Sequence, residues 1–232
     1  MHPERARCEG EGDLTAGTKV LVADDHPLFR GALKQAIMGA IADIEIVEAG
    51  DFDMAKTLAG SHDDLDLILL DLSMPGASGL SALVGMRGLQ AAVPVIVVSA
   101  TDDPETIRRS LELGASGFIS KSASMDEIRG AVEAVLEGEI VTPANIDLGE
   151  EHDPEISDLI ARIQTLTPQQ TRVLSMLAEG LLNKQIAYEL NVSEATIKAH
   201  VSAVLQKLGV DSRTQAVIRL SRIGTEPLSM GN

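Results

Sequence analysis

The 232-residue sequence predicts an α/β unit, a doubly wound five-stranded parallel sheet, followed by an all-α unit of four helices that includes a helix-turn-helix. Three observations carry this. Five short apolar runs alternate with spacers, the first four of which have room for a helix. After about residue 165 the chain shows helix caps and turn residues but no alternating strand pattern. The charge is also divided: residues 1–150 hold 11 Lys and Arg against 26 Asp and Glu, net −15, whereas 165–225 hold 7 against 4, net +3.

The apolar runs are Val20–Ala23, Ile44–Val47, Leu67–Leu70, Pro94–Val98 and Gly117–Ile119. In the first spacer Leu28, Ala32, Leu33, Ala36 and Ile37 recur at helical spacing. Strand–helix alternation implies βαβ crossovers and a parallel sheet, and nearly continuous apolar strands imply a sheet covered on both faces. The last helix of this unit is expected at roughly 124–137, with Met125, Ile128, Val132 and Val135 inward. Gly138 and Pro143 break the pattern. Residues 1–17 read as a mobile polar tail, 18–138 as the first domain, and 139–164 as an acidic linker holding a short helix near 155–163. Residues 165–225 form the helical domain and 226–232 a C-terminal tail.

In that helical domain, Thr167-Pro168-Gln169-Gln170 supplies an N-cap, a proline at the first helical position and a capping box. Asn183 is expected to cap the second helix and Ser193 a third, which Gly209 stops near Leu208. Ser212 with Gln215 starts the fourth.

Composition narrows the functional classes. No run of about 18 apolar residues exists, so no membrane span is expected. There is no apolar signal core near the start, and Cys8 is the only cysteine, so a reducing cytoplasm is expected. Three Phe, one Tyr and no Trp leave little for stacking on single-stranded bases.

Ligands of open parallel sheets bind beyond the C-terminal strand ends. Here those ends carry Asp24 and Asp25, Asp71, Ser99 and Lys121. Three close carboxylates repel one another, and a hard divalent cation such as Mg²⁺ relieves this. A phosphoryl group would then meet a carboxylate nucleophile, a charge-neutralising metal and a lysine. Asp71, central in the expected strand order, is the candidate nucleophile, and Ser99 can donate to a phosphoryl oxygen. Taken singly, these residues are equally at home as helix caps, turn residues or solvated surface. Their convergence at the ends of one sheet distinguishes them.

Residues 19–137 resemble the receiver domain of two-component response regulators, a flavodoxin-like fold, through Val-Ala-Asp-Asp-His-Pro (22–27), Leu-Leu-Asp-Leu-Ser-Met-Pro-Gly (69–76), Val-Ser-Ala (98–100) and Gly-Ala-Ser-Gly-Phe-Ile-Ser-Lys (114–121). The resemblance implies that Asp71 takes a phosphoryl group from a histidine kinase. It implies that Asp25, Asp71 and the Ser73 carbonyl ligate Mg²⁺, with Asp24 acting through water, and that Ser99 and an inward swing of Phe118 form the switch. Phe118 lacks the hydroxyl that a hydrogen-bonded inward state would use. Ser122 stands where many receivers carry proline, so no cis peptide is implied there.

On the third helix of the last unit, Ile197, Val201, Val204 and Leu208 fall on one stripe, with Ala195, Ala199, Ser202 and Gln206 opposite. Lys198 flanks that outer face on one side, His200 and Lys207 on the other, and Thr196 can meet phosphates. Residues 165–223 resemble the NarL/FixJ, LuxR-type output domain through Leu-Thr-Pro-Gln-Gln (166–170), Glu-Gly-Leu-Leu-Asn-Lys-Gln-Ile-Ala (179–187), Ser-Glu-Ala-Thr-Ile-Lys-Ala-His-Val (193–201) and Lys-Leu-Gly-Val (207–210). This implies double-stranded DNA as a partner, with Lys184, Thr196, Lys198, Ala199, His200, Ser202, Gln206 and Lys207 as the contact set. It also implies a homodimer through the fourth helix, with Val217, Leu220 and Ile223 as contacts. Ala199 and Ser202 hydrogen-bond poorly, so specificity is expected to lean on half-site spacing and DNA shape.

The expectation that follows is a transcription regulator whose unphosphorylated receiver masks the recognition helix. A phosphorylation-independent regulator is the alternative, and the intact acidic set argues against it. A phosphatase of the Asp-x-Asp type lacks its second acid, because Ser73 stands there.

Overall fold

The computed structural model describes residues 17–41, 43–76, 79–143 and 153–223. The expected tails lie outside these residues, apart from Gly17, as does the middle of the acidic linker, residues 144–152.

The first domain alternates β1 (Thr18–Ala23), α1 (Pro27–Met38), β2 (Ile44–Ala49), α2 (Phe52–Ser61), β3 (Leu67–Asp71), α3 (Leu80–Leu89), β4 (Val95–Ser99), α4 (Pro104–Glu112), β5 (Gly117–Ser120) and α5 (Met125–Leu136). All pairings are parallel, in the order β2-β1-β3-β4-β5. The two-residue period of the strands separates two cores. Leu21, Ile68, Leu70, Val95, Val97 and Phe118 pack toward α2, α3 and α4. Val20, Val22, Leu67, Leu69, Ile96, Val98 and Ile119 pack toward α1 and α5. The order turns around between β1 and β3, so the crevice opens where Asp24, Asp25 and Asp71 leave the sheet.

Leu28 departs from the expected stripe of α1. It sits in the first turn, 92% exposed, whereas its neighbour Phe29 packs against the core on that side of the sheet.

The second domain comprises α6 (Pro154–Gln164), α7 (Pro168–Ala178), α8 (Asn183–Glu189), α9 (Glu194–Leu208) and α10 (Arg213–Ile223). The short helix expected within the linker is α6. It buries Ile156, Leu159, Ile160 and Ile163 against the helical domain, so it belongs to that core rather than to a connector. The start of the linker is also held: Val141 pairs with β5, its carbonyl accepting from Phe118 N–H at 2.9 Å and its N–H donating to the Ser116 carbonyl at 3.1 Å. This covers a sheet edge that would otherwise present unpaired backbone.

Capping follows the sequence at α7, where Thr167 and Gln170 satisfy each other's backbone donors. At α8 the expected cap shifts by one. Leu182 is the N-cap and its N–H donates to Gln185 Oε1 at 2.7 Å, which places Asn183 inside the helix. Gly209 ends α9 at φ +64°, a left-handed conformation that suits glycine.

The domains dock through α3 against α7, with α10 also reaching α3. An apolar cluster runs unbroken from the α2–α4 side of the sheet into Leu174, Val204, Leu208, Leu220 and Ile223. Helix packing is close because α3 offers glycine here. A Cβ on Gly88 would stand 2.9 Å from the backbone nitrogen of Arg172, and one on Gly85 would stand 2.6 Å from Ser175 Oγ. Lys56 and Glu179 close the seam with an ion pair at 2.9 Å. Burial would lower the Lys56 pKa, but the bonds to Asp53 and Glu179 outweigh it and hold the ammonium above its ordinary range.

Candidate functional site: the acidic pocket and the helix-turn-helix face

Folding brings Asp24, Asp25, Asp71, Ser99 and Lys121 to one crevice. Asp24, Asp71 and Ser99 are buried. Lys121 Nζ lies 2.7 Å from Asp24 Oδ2 and 2.8 Å from Asp71 Oδ2, bridging two carboxylates that would otherwise repel. Burial pushes the Lys121 pKa down, but its close pairing with Asp24 and Asp71 exceeds that effect and leaves it raised. The ammonium also lies 5.2 Å from the Phe29 ring centre. Two backbone donors hold the carboxylates in place. His26 N–H donates to Asp24 Oδ1 at 2.7 Å, and Ser73 N–H donates to Asp71 Oδ1 at 3.0 Å. The Lys121 N–H reaches the Ser99 carbonyl at 2.7 Å, which fixes the ends of β4 and β5 together.

The crevice suits a divalent cation. Asp24, Asp25, His26 and Asp71 each offer a ligand atom, all within 4.8 Å of one another. Asp24 Oδ2 and Asp25 Oδ1 are buried without a well-angled hydrogen bond. Each has only an ion-pair contact, with Lys121 and with His26 Nδ1 at 2.6 Å. His26 was not among the sequence candidates. Its signal was its position directly after two strand-end acids. Also missed was a network behind the pocket, in which Ser120 Oγ donates to Asp102 Oδ2 at 2.8 Å and lies 2.7 Å from Ser122 Oγ.

The switch residues take defined positions. Ser99 Oγ accepts from Thr101 N–H at 3.1 Å. Phe118 is only 1% exposed. The inward swing expected of it therefore has no outward starting point here, because the ring already fills the core on the α4 side.

In the helical domain, Ile197, Val204 and Leu208 of α9 are buried, with Val201 partly so, as the stripe requires. Ala195, Thr196, Lys198, Ala199, Ser202 and Gln206 are exposed, His200 is half-buried, and Lys184 is exposed on α8. The expected masking of this face by the receiver is not what the fold does, because docking uses α3, α7 and α10 instead. Lys198 pairs with Glu194 at 3.0 Å, and Thr196 Oγ1 with Ser193 Oγ at 2.8 Å. Lys207 turns away from the face. Its Nζ donates to the Thr165 carbonyl at 2.7 Å and to Gln170 Oε1 at 2.8 Å. Of the residues expected at a dimer contact, Leu220 and Ile223 are 2% and 1% exposed within this chain, and Val217 lines a cleft shared with Phe52, Gly76 and Ser81.

Residues 20–133 match the response regulator receiver domain family, and residues 164–220 match the LuxR family of bacterial regulatory proteins. A glycerol metabolism activator of Pseudomonas putida is 42% identical over 206 residues, covering 86% of this chain and 93% of that protein. This chain belongs to the NarL-type response regulators. The nitrate/nitrite response regulator NarL of Escherichia coli strain K12 is 34% identical over 208 residues, covering 86% of this chain and 93% of its own. Among solved structures, RcsB of Salmonella enterica serovar Typhimurium, bound to a promoter with a beryllofluoride phosphomimetic, superposes with a TM-score of 0.53. It is 26% identical and covers 89% of this chain and 99% of that one. The response regulator described here therefore joins a receiver to a LuxR-type DNA-binding domain. Among its described residues no helix is long and apolar enough to cross a membrane.

Proposed function

We propose that this regulator is a phosphorylation-switched transcription factor. Its receiver, residues 18–138, accepts a phosphoryl group on Asp71 from a histidine kinase, and its helical domain binds double-stranded DNA as a homodimer in the cytoplasm. The observation that carries this reading is Lys121 bridging Asp24 and Asp71 at the crevice of the sheet.

An Asp71 carboxylate oxygen attacks phosphorus, the bond to the donor imidazole nitrogen breaks, and an acyl phosphate forms. Lys121 then pairs with a phosphoryl oxygen, and Ser99 can donate to another. Asp24, Asp25 and Asp71, with the Ser73 carbonyl, would hold Mg²⁺, which when bound neutralises phosphoryl charge. In this reading the receiver acts as an acceptor of the phosphoryl group.

The test is labelling of the full chain with acetyl phosphate and Mg²⁺, resolved on phosphate-affinity gels. Wild type is retarded, whereas Asp71→Asn is not. A D71N protein retarded like wild type would remove Asp71 as the acceptor.

A further inference from the structure

Lys121 bridges two carboxylates, yet it belongs to neither β5 nor α5. It stands on the short turn, residues 121–124, that joins them. A lysine on a flexible four-carbon stem does not aim itself. The backbone of the turn sets where that stem starts.

Every N–H of this turn has a partner. Lys121 N–H donates to the Ser99 carbonyl at 2.7 Å, and Ala123 N–H to the Ser120 carbonyl at 2.9 Å. Ser124 N–H donates to Glu127 Oε2 at 2.7 Å. Ser122 N–H donates to a side chain instead, Ser120 Oγ, at 3.2 Å. A serine hydroxyl thus closes the chain around Lys121, as it does in other serine turns. Proline at position 122 would lack that donor.

The Ser120 hydroxyl is also fully used. It has one proton and two lone pairs. The proton goes to Asp102 Oδ2 at 2.8 Å. The lone pairs face Ser122 N–H and Ser122 Oγ, the latter at 2.7 Å. Ser120 is 8% exposed, whereas Asp102 and Ser122 lie at the surface. Asp102 belongs to the loop after Ser99, whose Oγ accepts from Thr101 N–H at 3.1 Å. Ser99 and Ser120 are themselves register partners on β4 and β5. One hydroxyl therefore ties the Lys121 turn to the Ser99 loop, and these carry the two side chains that would face a phosphoryl group on Asp71.

We propose that Ser120 is a positioning residue, which acts on phosphoryl transfer through Lys121. It holds the turn 120–122 against the loop after Ser99 and so fixes the Lys121 ammonium over Asp71. The effect on transfer rests on the phosphoacceptor reading of Asp71, whereas the coupling of Ser120 to Lys121 does not.

Time courses of labelling with acetyl phosphate and Mg²⁺ test this in the full chain. Ser120→Ala and Ser120→Thr are each made with Lys121 present and with Lys121→Met. S120A should label about tenfold more slowly than wild type, because a displaced group loses much of its rate contribution. S120T keeps the hydroxyl and suits a strand end, so it should label within about twofold of wild type. In the K121M protein S120A should leave the residual rate unaltered, since nothing remains to be positioned. A wild-type rate in S120A would overturn the proposal, as would S120T labelling as slowly as S120A. Equal slowing by S120A with and without Lys121 would also sink it, being the mark of a merely structural role.

If wild type takes no label, the phosphoacceptor reading falls, and urea unfolding of the same proteins decides the coupling. S120A should then lower the midpoint less in K121M than in wild type, and additive losses would refute the proposal. If S120A does not fold, Asp102→Ala takes its place, because Asp102 is exposed and the Ser122 N–H bond survives its loss. D102A should slow labelling about threefold when Lys121 is present and not in K121M, as expected for one lost hydrogen bond. An unaltered rate in D102A would overturn the proposal.

Discussion

Lys121 Nζ stands 2.8 Å from Asp71 Oδ2 across a chain separation of 50 residues, and β3, which Asp71 ends, and β5, which Lys121 follows, are not neighbours, since β4 lies between them. The ammonium reaches over the end of β4 to neutralise a buried acid. Lys121→Met would leave Asp24 and Asp71 buried together without a cation. The expected cost is about 3 kcal/mol, at the low end for a broken buried pair because Lys121 retains some solvent contact. Urea unfolding measures it. Saturating Mg²⁺ should restore more stability to K121M than to wild type, and equal restoration would argue that the cation sits elsewhere.

The same residue sets an alkaline limit. Its folded pKa is raised above the ordinary 10.5, so its contribution is full below that value and is lost as pH climbs through the higher folded one. Thermal melts from about pH 9 to about pH 11.5 should show wild type losing stability toward K121M. Parallel curves for the two proteins would contradict the ion-pair account.

The α3–α7 seam distinguishes two glycines. At Gly88 the obstructing atom is backbone, whereas at Gly85 it is the rotatable Ser175 hydroxyl. Gly88→Ala should therefore loosen domain docking and enlarge the radius of gyration in solution scattering. Gly85→Ala should be accommodated by rotation of Ser175. Both substitutions should raise the intrinsic stability of α3 by about 0.5–1 kcal/mol, since glycine is a poor helix former. Expansion by G85A but not G88A would refute this packing.

Two lysines of α9 that sequence places together should behave differently. Lys198 is exposed and its partner Glu194 is on the same helix, an arrangement worth only a few tenths of a kcal/mol. Lys198→Ala should weaken DNA binding across sequences and flatten the log–log salt slope by about one. Lys207 is spent on Thr165 and Gln170, so Lys207→Ala should destabilise the helical domain by about 1 kcal/mol. A salt slope flattened by K207A alone, without loss of stability, would put Lys207 on the phosphates instead.

Much of this molecule was legible in the residues. The strand runs, the acids and lysine at their ends and the caps of Thr167 and Ser193 all follow from patterns a few residues long. His26 escaped because its one signal, a place directly after two strand-end acids, does not separate it from a turn residue before Pro27. Leu28 misled because helical spacing allows either Leu28 or Phe29 to start the inward stripe, and it is Phe29 that packs on the core.

By itself the sequence determined the two folds and the convergence of Asp24, Asp25, Asp71, Ser99 and Lys121. Parallel alternation obliges consecutive strands to end on one side, whatever the helices do. Only the tertiary structure decided how the two units meet: Gly88 against Arg172, Lys56 with Glu179, and Arg109 on the carbonyl of Ile223. It likewise turned Leu220 and Ile223 inward and Lys207 toward α7. The physical reason is that an amphipathic helix specifies that it must be covered, whereas its partner is chosen by shape and charge brought together from distant parts of the chain.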